Sequence, residues 1–91
     1  MLTKGNKKGT IRFTLKPSNS PEIVQLAGDF NNWNPTQMRR GTNGVFAVDM
    51  PLRSGAHQYK FIVGEQWMSD PDNTLSTPNI YGTTNSVAQV D

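Results

Sequence analysis

Proline or glycine interrupts this chain at intervals of no more than nine residues, and between the interruptions apolar and polar side chains alternate. A strand places successive side chains on opposite faces, whereas an amphipathic helix needs apolar residues every three to four positions. The pattern therefore selects short antiparallel strands, and no window supports a helix of three turns. Ile11, Phe13 and Leu15 point one way while Arg12, Thr14 and Lys16 point the other. After the Pro17-Ser18-Asn19-Ser20-Pro21 turn the alternation resumes at Val24 and Leu26. It returns at Phe46, Val48 and Met50 after Thr42-Asn43-Gly44, and at Tyr59, Phe61 and Val63 after Arg53-Ser54-Gly55.

Val63-Gly64-Glu65-Gln66 reads as a two-residue hairpin, because glycine at the first central position suits a type II′ turn. Trp67 then opens a short return strand. Ser86–Val90 supplies a last strand and Gln37-Met38-Arg39 a very short third one. About seven short strands in one unit predict an all-β fold, an antiparallel β-sandwich of immunoglobulin-like shape without a cysteine pair. With Tyr59, Phe61 and Val63 facing the core, Gln58, Lys60 and Ile62 face outward.

A chain of 91 residues supports one thin core, since domains of this size bury only a little over ~60% of the surface they expose when unfolded. Without cysteine it has neither disulfides nor a thiolate metal site, so burial and backbone hydrogen bonds hold the fold. Residues 1–9 carry charge but no hydrophobic stretch of the signal-peptide kind, and read as a flexible N-terminal tail before a folded domain over residues 10–91. No segment approaches ~20 consecutive apolar residues, so no membrane span is expected. The expectation is a cytoplasmic protein or a module excised from a larger one.

Net charge is +2, yet five of the nine basic residues (Lys4, Lys7, Lys8, Arg12, Lys16) fall within the first sixteen positions. Such a cluster serves either as a nucleic-acid or anionic-membrane patch, or as a solvated tail plus the outward face of a first strand. The second reading is preferred, because nucleic-acid binders of this size carry a broader basic face.

Common hydrolytic chemistry needs a nucleophile with its base, or paired carboxylates across a cleft. The one histidine, His57, stands at the start of a strand and reads as a surface strand residue. Asp70 and Asp72 flank Pro71 in a turn, where accepting backbone N–H groups is their expected work. Asp70-Pro71-Asp72-Asn73 lacks the central glycine and distal glutamate of a calcium loop. Neither a catalytic residue, a metal site nor a cofactor is expected.

Binding chemistry is better represented. Trp33 and Trp67 lie in Asp29-Phe30-Asn31-Asn32-Trp33-Asn34-Pro35 and Gly64-Glu65-Gln66-Trp67, beside turn residues and outside apolar runs. An aromatic plane there is a platform for a ligand with a flat apolar face, such as the C–H face of a pyranose. Lys60, Thr83 and Asn85 supply polar groups for the hydroxyl rim. The competing reading folds either indole over the core. Phe30 is the better core candidate in the first loop; for Trp67 pattern alone leaves the choice even, and Tyr81 is divided between packing and display.

Several spaced motifs then agree in order. Val24-Gln25-Leu26-Ala27-Gly28-Asp29-Phe30-Asn31-Asn32-Trp33 comes first, then Gly44-Val45-Phe46 and Gly55-Ala56-His57-Gln58-Tyr59-Lys60-Phe61-Ile62-Val63. Gln66-Trp67 with Asp70-Pro71, and Gly82-Thr83-Thr84-Asn85-Ser86, complete the set. Together they resemble the family 48 carbohydrate-binding modules, in particular the glycogen-binding domains of AMP-activated protein kinase β subunits, over residues 10 to 90.

The resemblance implies a β-sandwich with an α-1,4-glucan site on one face. It implies that Trp33 and Trp67 stack on sugar, that Lys60 and Asn85 hydrogen-bond hydroxyls, and that Thr83 adds a polar contact. Two positions depart from the pattern. Tyr81 stands where kinase-type members carry a leucine before Gly-Thr, and Gly64-Glu65 stands where Asp-Gly is usual.

The leading expectation is non-catalytic binding of glycogen, starch or cyclodextrins, with a catalytic domain or kinase subunits as partners in a larger assembly. The alternative is a structural or protein-interaction sandwich that binds no sugar. Single-stranded nucleic acid stacked on the aromatics is disfavoured by the small net charge and by Glu65, Asp70 and Asp72 around Trp67.

Overall fold

The computed structural model describes residues 1–18 and 21–91. Among them are ten strands: β1 (Leu2–Lys4), β2 (Thr10–Leu15), β3 (Val24–Gly28), β4 (Thr36–Gln37), β5 (Arg39–Arg40), β6 (Phe46–Pro51), β7 (Gly55–Val63), β8 (Gln66–Met68), β9 (Ser76–Pro78) and β10 (Thr84–Val90). They form two antiparallel sheets. The first runs in the order β1-β2-β6-β5, and the second in the order β4-β3-β7-β10-β9 with β8 also on β7. The chain is an all-β sandwich, and no helix of the described residues is long and apolar enough to cross a membrane.

The strand β7 organises the second sheet. Gly28 of β3 and Ser86 of β10 both pair with Tyr59, so these two strands hold opposite edges of β7. β3 and β8 both pair with residues 61–63, so β8 shares the edge of β10 and lies end to end with it. Side chains of β8 and β10 that point away from the core therefore come onto one face with those of β7.

The inward faces meet in a core of Phe13, Leu15, Val24, Leu26, Met38, Phe46, Leu52, Tyr59, Phe61 and Ala88. Phe13 from the first sheet meets Tyr59 from the second edge-on at 4.9 Å between ring centres, and Tyr59 meets Phe61 at 5.7 Å. Edge-to-face packing of this kind adds to area burial, because the positive rim of one ring faces the negative face of the next.

The Tyr59 hydroxyl is buried and fully engaged: it donates to Asp70 Oδ2 at 2.7 Å and accepts from Asn73 Nδ2 at 2.9 Å. Burial pushes this phenol well above the usual tyrosine range; the Asn73 hydrogen bond acts against that and the Asp70 carboxylate reinforces it. Asp70 also accepts the Asp72 N–H, as the turn chemistry predicts, and its own N–H donates to buried Ser86 Oγ. The connection from β8 to β9 is thereby fastened to the core.

Four features differ from the sequence reading. Within the segment read as a flexible tail, Leu2–Lys4 forms an edge strand on β2, with half-buried Leu2 against the core. A single apolar residue among lysines and glycines is too short a pattern to announce a strand. The strand expected at Gln37-Met38-Arg39 is a crossing point. β4 pairs with β3 in one sheet, β5 with β6 in the other, and Met38 between them sends its side chain into the core. Ser76–Pro78 forms a strand that no alternation marked. Ile62 faces outward as expected but is only 5% exposed, with Trp67 as its direct cross-strand neighbour. In the expected turn between β2 and β3, Asn19 and Ser20 lie outside the described residues.

Candidate functional site

The outer face of the second sheet carries a groove of about 900 Å³. Trp33, Lys60, Trp67, Tyr81, Thr83 and Asn85, all singled out in the sequence, line it together with Gln58, Pro78, Asn79 and Ile80. The lining holds no carboxyl group and no histidine.

Trp33 reaches the groove through an unusual turn after β3. Asp29–Asn31 form a single 3₁₀ turn, followed by two left-handed non-glycine residues, Asn32 (φ 56°) and Trp33 (φ 60°). For a bulky side chain this conformation costs roughly 1–2 kcal/mol, so the surroundings must over-determine it. The Asn31 carboxamide does so: it accepts the Gly28 N–H at 2.9 Å and donates to Leu26 O and Thr36 Oγ1. Trp33 N–H closes the turn on Gly28 O at 2.8 Å. Phe30 turns inward and stacks on Phe13, while Trp33 stays half-buried at the groove. Gly28 makes room, since a Cβ there would run into the Phe30 ring and, at 2.6 Å, the Gln58 carbonyl oxygen.

Trp67 arrives from the other side of β7. Val63 and Gln66 pair across Gly64-Glu65; Gly64 has φ 64° and Glu65 is not among the positive-φ residues. That is the type II′ geometry read from the sequence. The indole is 50% exposed, so it is displayed on the surface and not folded into the core.

The third wall is the β9–β10 hairpin. Asn79 N–H donates to Thr83 O at 2.9 Å and Gly82 N–H to Asn79 O at 3.4 Å, with Gly82 at φ 80°. This is a three-residue loop with asparagine at the first turn position and a left-handed glycine at the last. The Asn79 side chain braces it, Oδ1 accepting the N–H groups of Tyr81 and Thr83. Ile80 and Tyr81 are left at the tip, 91% and 84% exposed.

Lys60 points outward from the middle of β7 and donates from Nζ to Thr83 Oγ1 at 3.0 Å. Asn85 lies in the groove floor at 8% exposure, donating to Gln58 Oε1 and accepting from Asn79 Nδ2, each at 3.0 Å. His57 stays outside the groove. Its ring nitrogens face Arg53 O at 2.8 Å and Asp29 Oδ1 at 3.3 Å, and Asp29 also accepts the Gln58 N–H. These contacts fasten the start of β7 to the Trp33 turn. Among the described residues no group of three His, Cys, Asp or Glu side chains is placed to hold a metal ion.

Sequence reasoning missed Asn79, Ile80 and Pro78 as groove residues and gave Gln58 only its outward direction. The available signal was Asn79-Ile80-Tyr81-Gly82 itself, since asparagine and glycine three apart favour the first and last positions of a turn.

A second cleft, of about 620 Å³, lies between residues 2–11 and the end of β10. Lys4, Lys7 and Lys8 line it and no aromatic ring does.

The family described as the glycogen recognition site of AMP-activated protein kinase matches residues 11–91. The chain belongs to this family. Relatives of this chain include the 5'-AMP-activated protein kinase subunit beta-1 of Sus scrofa, 42% identical over 67 residues. That match covers 74% of this chain and 53% of the relative. The Homo sapiens beta-1 subunit is also 42% identical over 74% of this chain, which spans 24% of it. Protein PTST homolog 2, chloroplastic, of Arabidopsis thaliana is 38% identical over 69% of this chain and 12% of its own length. This chain thus spans about half or less of these relatives.

Among solved structures, a putative alpha amylase from Salmonella typhimurium superposes with a TM-score of 0.73 at 20% identity, over 97% of this chain and 14% of that one. The maltogenic amylase from S. marinus gives 0.74 at 20% identity, over 90% and 13%. At these identities the likeness concerns the fold.

Proposed function

We propose that the groove binds α-1,4-linked glucans such as glycogen, starch and cyclodextrins, without cleaving them. Trp33 and Trp67 stack on sugar faces, Lys60, Thr83 and Asn85 hydrogen-bond the hydroxyl edges, and Tyr81 forms the rim. The observation that carries this reading is that two indoles, one from the turn after β3 and one from β8, on opposite edges of β7, border one groove with those polar groups between them. Binding without hydrolysis is favoured because glycosidases place two carboxyl groups about the scissile bond, and the groove lining has none.

Covering roughly 100 Å² of apolar surface at ~25 cal/mol/Å² contributes about 2.5 kcal/mol per stacked ring before ordering costs. With a few solvent-competed hydrogen bonds this gives affinities in roughly the micromolar to millimolar range. Titration with β-cyclodextrin followed by tryptophan fluorescence tests the reading. Saturable change of the indole emission supports it, and an unchanged spectrum at millimolar ligand rejects it. Since relatives are subunits of a kinase and extend well beyond this domain, the module serves as the glucan-docking part of a larger assembly.

A further inference from the structure

We propose that Asn79, which nothing above places against the sugar, is a positioning residue that fixes the direction of the carboxamide hydrogen bonds along the groove floor and leaves mainly N–H and O–H donors for the ligand. The proposal rests on the glucan reading of the groove and adds how its polar edge is set.

The argument starts at two backbone amides. Tyr81 N–H and Thr83 N–H both point at Asn79 Oδ1, at 2.9 and 3.2 Å. Backbone N–H groups only donate, so the oxygen of this carboxamide must face them and its amino group must face the groove. Both amino hydrogens are then used, one on Thr83 Oγ1 at 2.8 Å and one on Asn85 Oδ1 at 3.0 Å. Asn85 is oriented in turn, because turning it over would set two amino groups against each other. Its Nδ2 accordingly donates to Gln58 Oε1 at 3.0 Å, which directs the Gln58 amino group away from Asn85. Thr83 Oγ1 also accepts from Lys60 Nζ at 3.0 Å. With both lone pairs occupied, the hydroxyl hydrogen of Thr83 is free to donate.

What remains unpaired on Gln58, Lys60, Thr83 and Asn85 follows from the donor inventory. There is the Thr83 O–H, the remaining ammonium hydrogens of Lys60, one N–H of Asn85 and the amino group of Gln58. Against these, on the floor side chains, stand the second lone pairs of the Asn85 and Gln58 carbonyl oxygens, with the Tyr81 hydroxyl at the rim able to donate or accept. An edge of this kind recognises the oxygen lone pairs of a glucan and directs the sugar's own hydroxyl hydrogens toward solvent.

The direction is testable because aspartate keeps half of the Asn79 role. In Asn79→Asp the carboxylate still accepts from Tyr81 and Thr83 N–H, so the hairpin is retained, but it donates nothing. Asn85 must then turn its amino group toward the new carboxylate, Gln58 must follow, and Thr83 must spend its hydrogen inside the protein. We expect Asn79→Asp to melt with the parent protein and to bind β-cyclodextrin at least fivefold more weakly. In the ligand-free variant the side-chain NH₂ resonances of Asn85 and Gln58 move, which a merely structural role would not require. Gln58→Glu, an exposed position, removes donors at the far end of the same line and is expected to weaken binding at least threefold.

Affinities of both variants within twofold of the parent, or unmoved Asn85 and Gln58 resonances, would overturn the positioning role while leaving the glucan reading intact. If the parent protein itself fails to bind β-cyclodextrin, the glucan reading falls, and this inference with it.

Discussion

The outer faces of the two sheets are built by the same alternation and end up chemically opposite. On the first sheet the direct cross-strand pair Arg12 and Asp49 forms a two-pronged ion pair, Nε to Oδ1 at 2.8 Å and Nη2 to Oδ2 at 3.2 Å. On the second sheet the corresponding positions carry indoles, carboxamides, a threonine and one lysine around a groove. Charge follows the same division. Residues 1–18 and 38–51, which hold the first sheet, contain seven basic side chains and one acidic; the rest of the chain contains two basic and six acidic. The small net charge of +2 conceals this polarity. The contrast teaches that composition averages over faces, while a ligand meets only one of them: a neutral ligand suits a groove whose lining carries a single charge, that of Lys60.

The largest expected effect comes from removing the feature that most separates the two faces. Trp33→Ala or Trp67→Ala should each lower β-cyclodextrin affinity at least tenfold, about 1.4 kcal/mol, and the double variant on the order of a hundredfold, with the melting temperature little changed. Calorimetric titration beside a thermal melt checks this. Unfolding of both single variants would return the indoles to the core and erase the contrast.

Tyr59→Phe separates folding from binding beneath the groove. It leaves Asp70 and Asn73 without the hydroxyl that joins them, and an unsatisfied buried partner costs about 1–3 kcal/mol. Chemical denaturation should show that loss, while sugar affinity measured on the folded protein stays within a fewfold.

Smaller still are the changes on the first sheet. Arg12→Ala removes a partly exposed ion pair, so affinity should stay the same and the melt should shift slightly. The acid side of the pH profile sharpens this. Hydrogen bonding from Arg12, with that from the Asn6 N–H, holds the Asp49 carboxyl below its ordinary value of 3.8. A lowered carboxylate pKa stabilises the fold at pH values above 3.8 and loses that contribution as pH falls through the depressed value. Stability of the parent should therefore drop more than that of Arg12→Ala as pH falls below 3.8. The smallest effect is salt. Retention on amylose should barely change between low and high ionic strength, because stacking on a neutral sugar is not screened.

Much of this was legible in the sequence, for reasons that can be named residue by residue. Strands β2, β3, β6 and β7 alternate over enough residues to announce both their existence and their inward faces, whereas β10 was legible as a strand but not in its facing, because buried Ser86 is polar and outward Val87 is apolar. Gly64 fixed the sharp turn that sets Trp67 on its strand. The tight Asn31 knot explains why Phe30 goes inward and Trp33 does not, and its raw materials, Gly28 and Asn31, were visible. What stayed hidden was carried by pairing, not by pattern. β9 has no apolar alternation and exists because β10 offers an edge, and β1 has one apolar residue to mark it. The charge polarity likewise appears only once strands are sorted into sheets. Asn79 escaped notice because its importance lies in two backbone amides that the hairpin brings to its oxygen.

The most direct test of the central claim is a titration of the ¹⁵N-labelled protein with β-cyclodextrin, read residue by residue by NMR. The account predicts that the indole N–H signals of Trp33 and Trp67 and the backbone signals of residues 79–85 shift together and saturate, while Arg12, Thr14 and Ala47 on the first sheet stay in place. Shifts centred on the first sheet, or indole signals that never move, would contradict it.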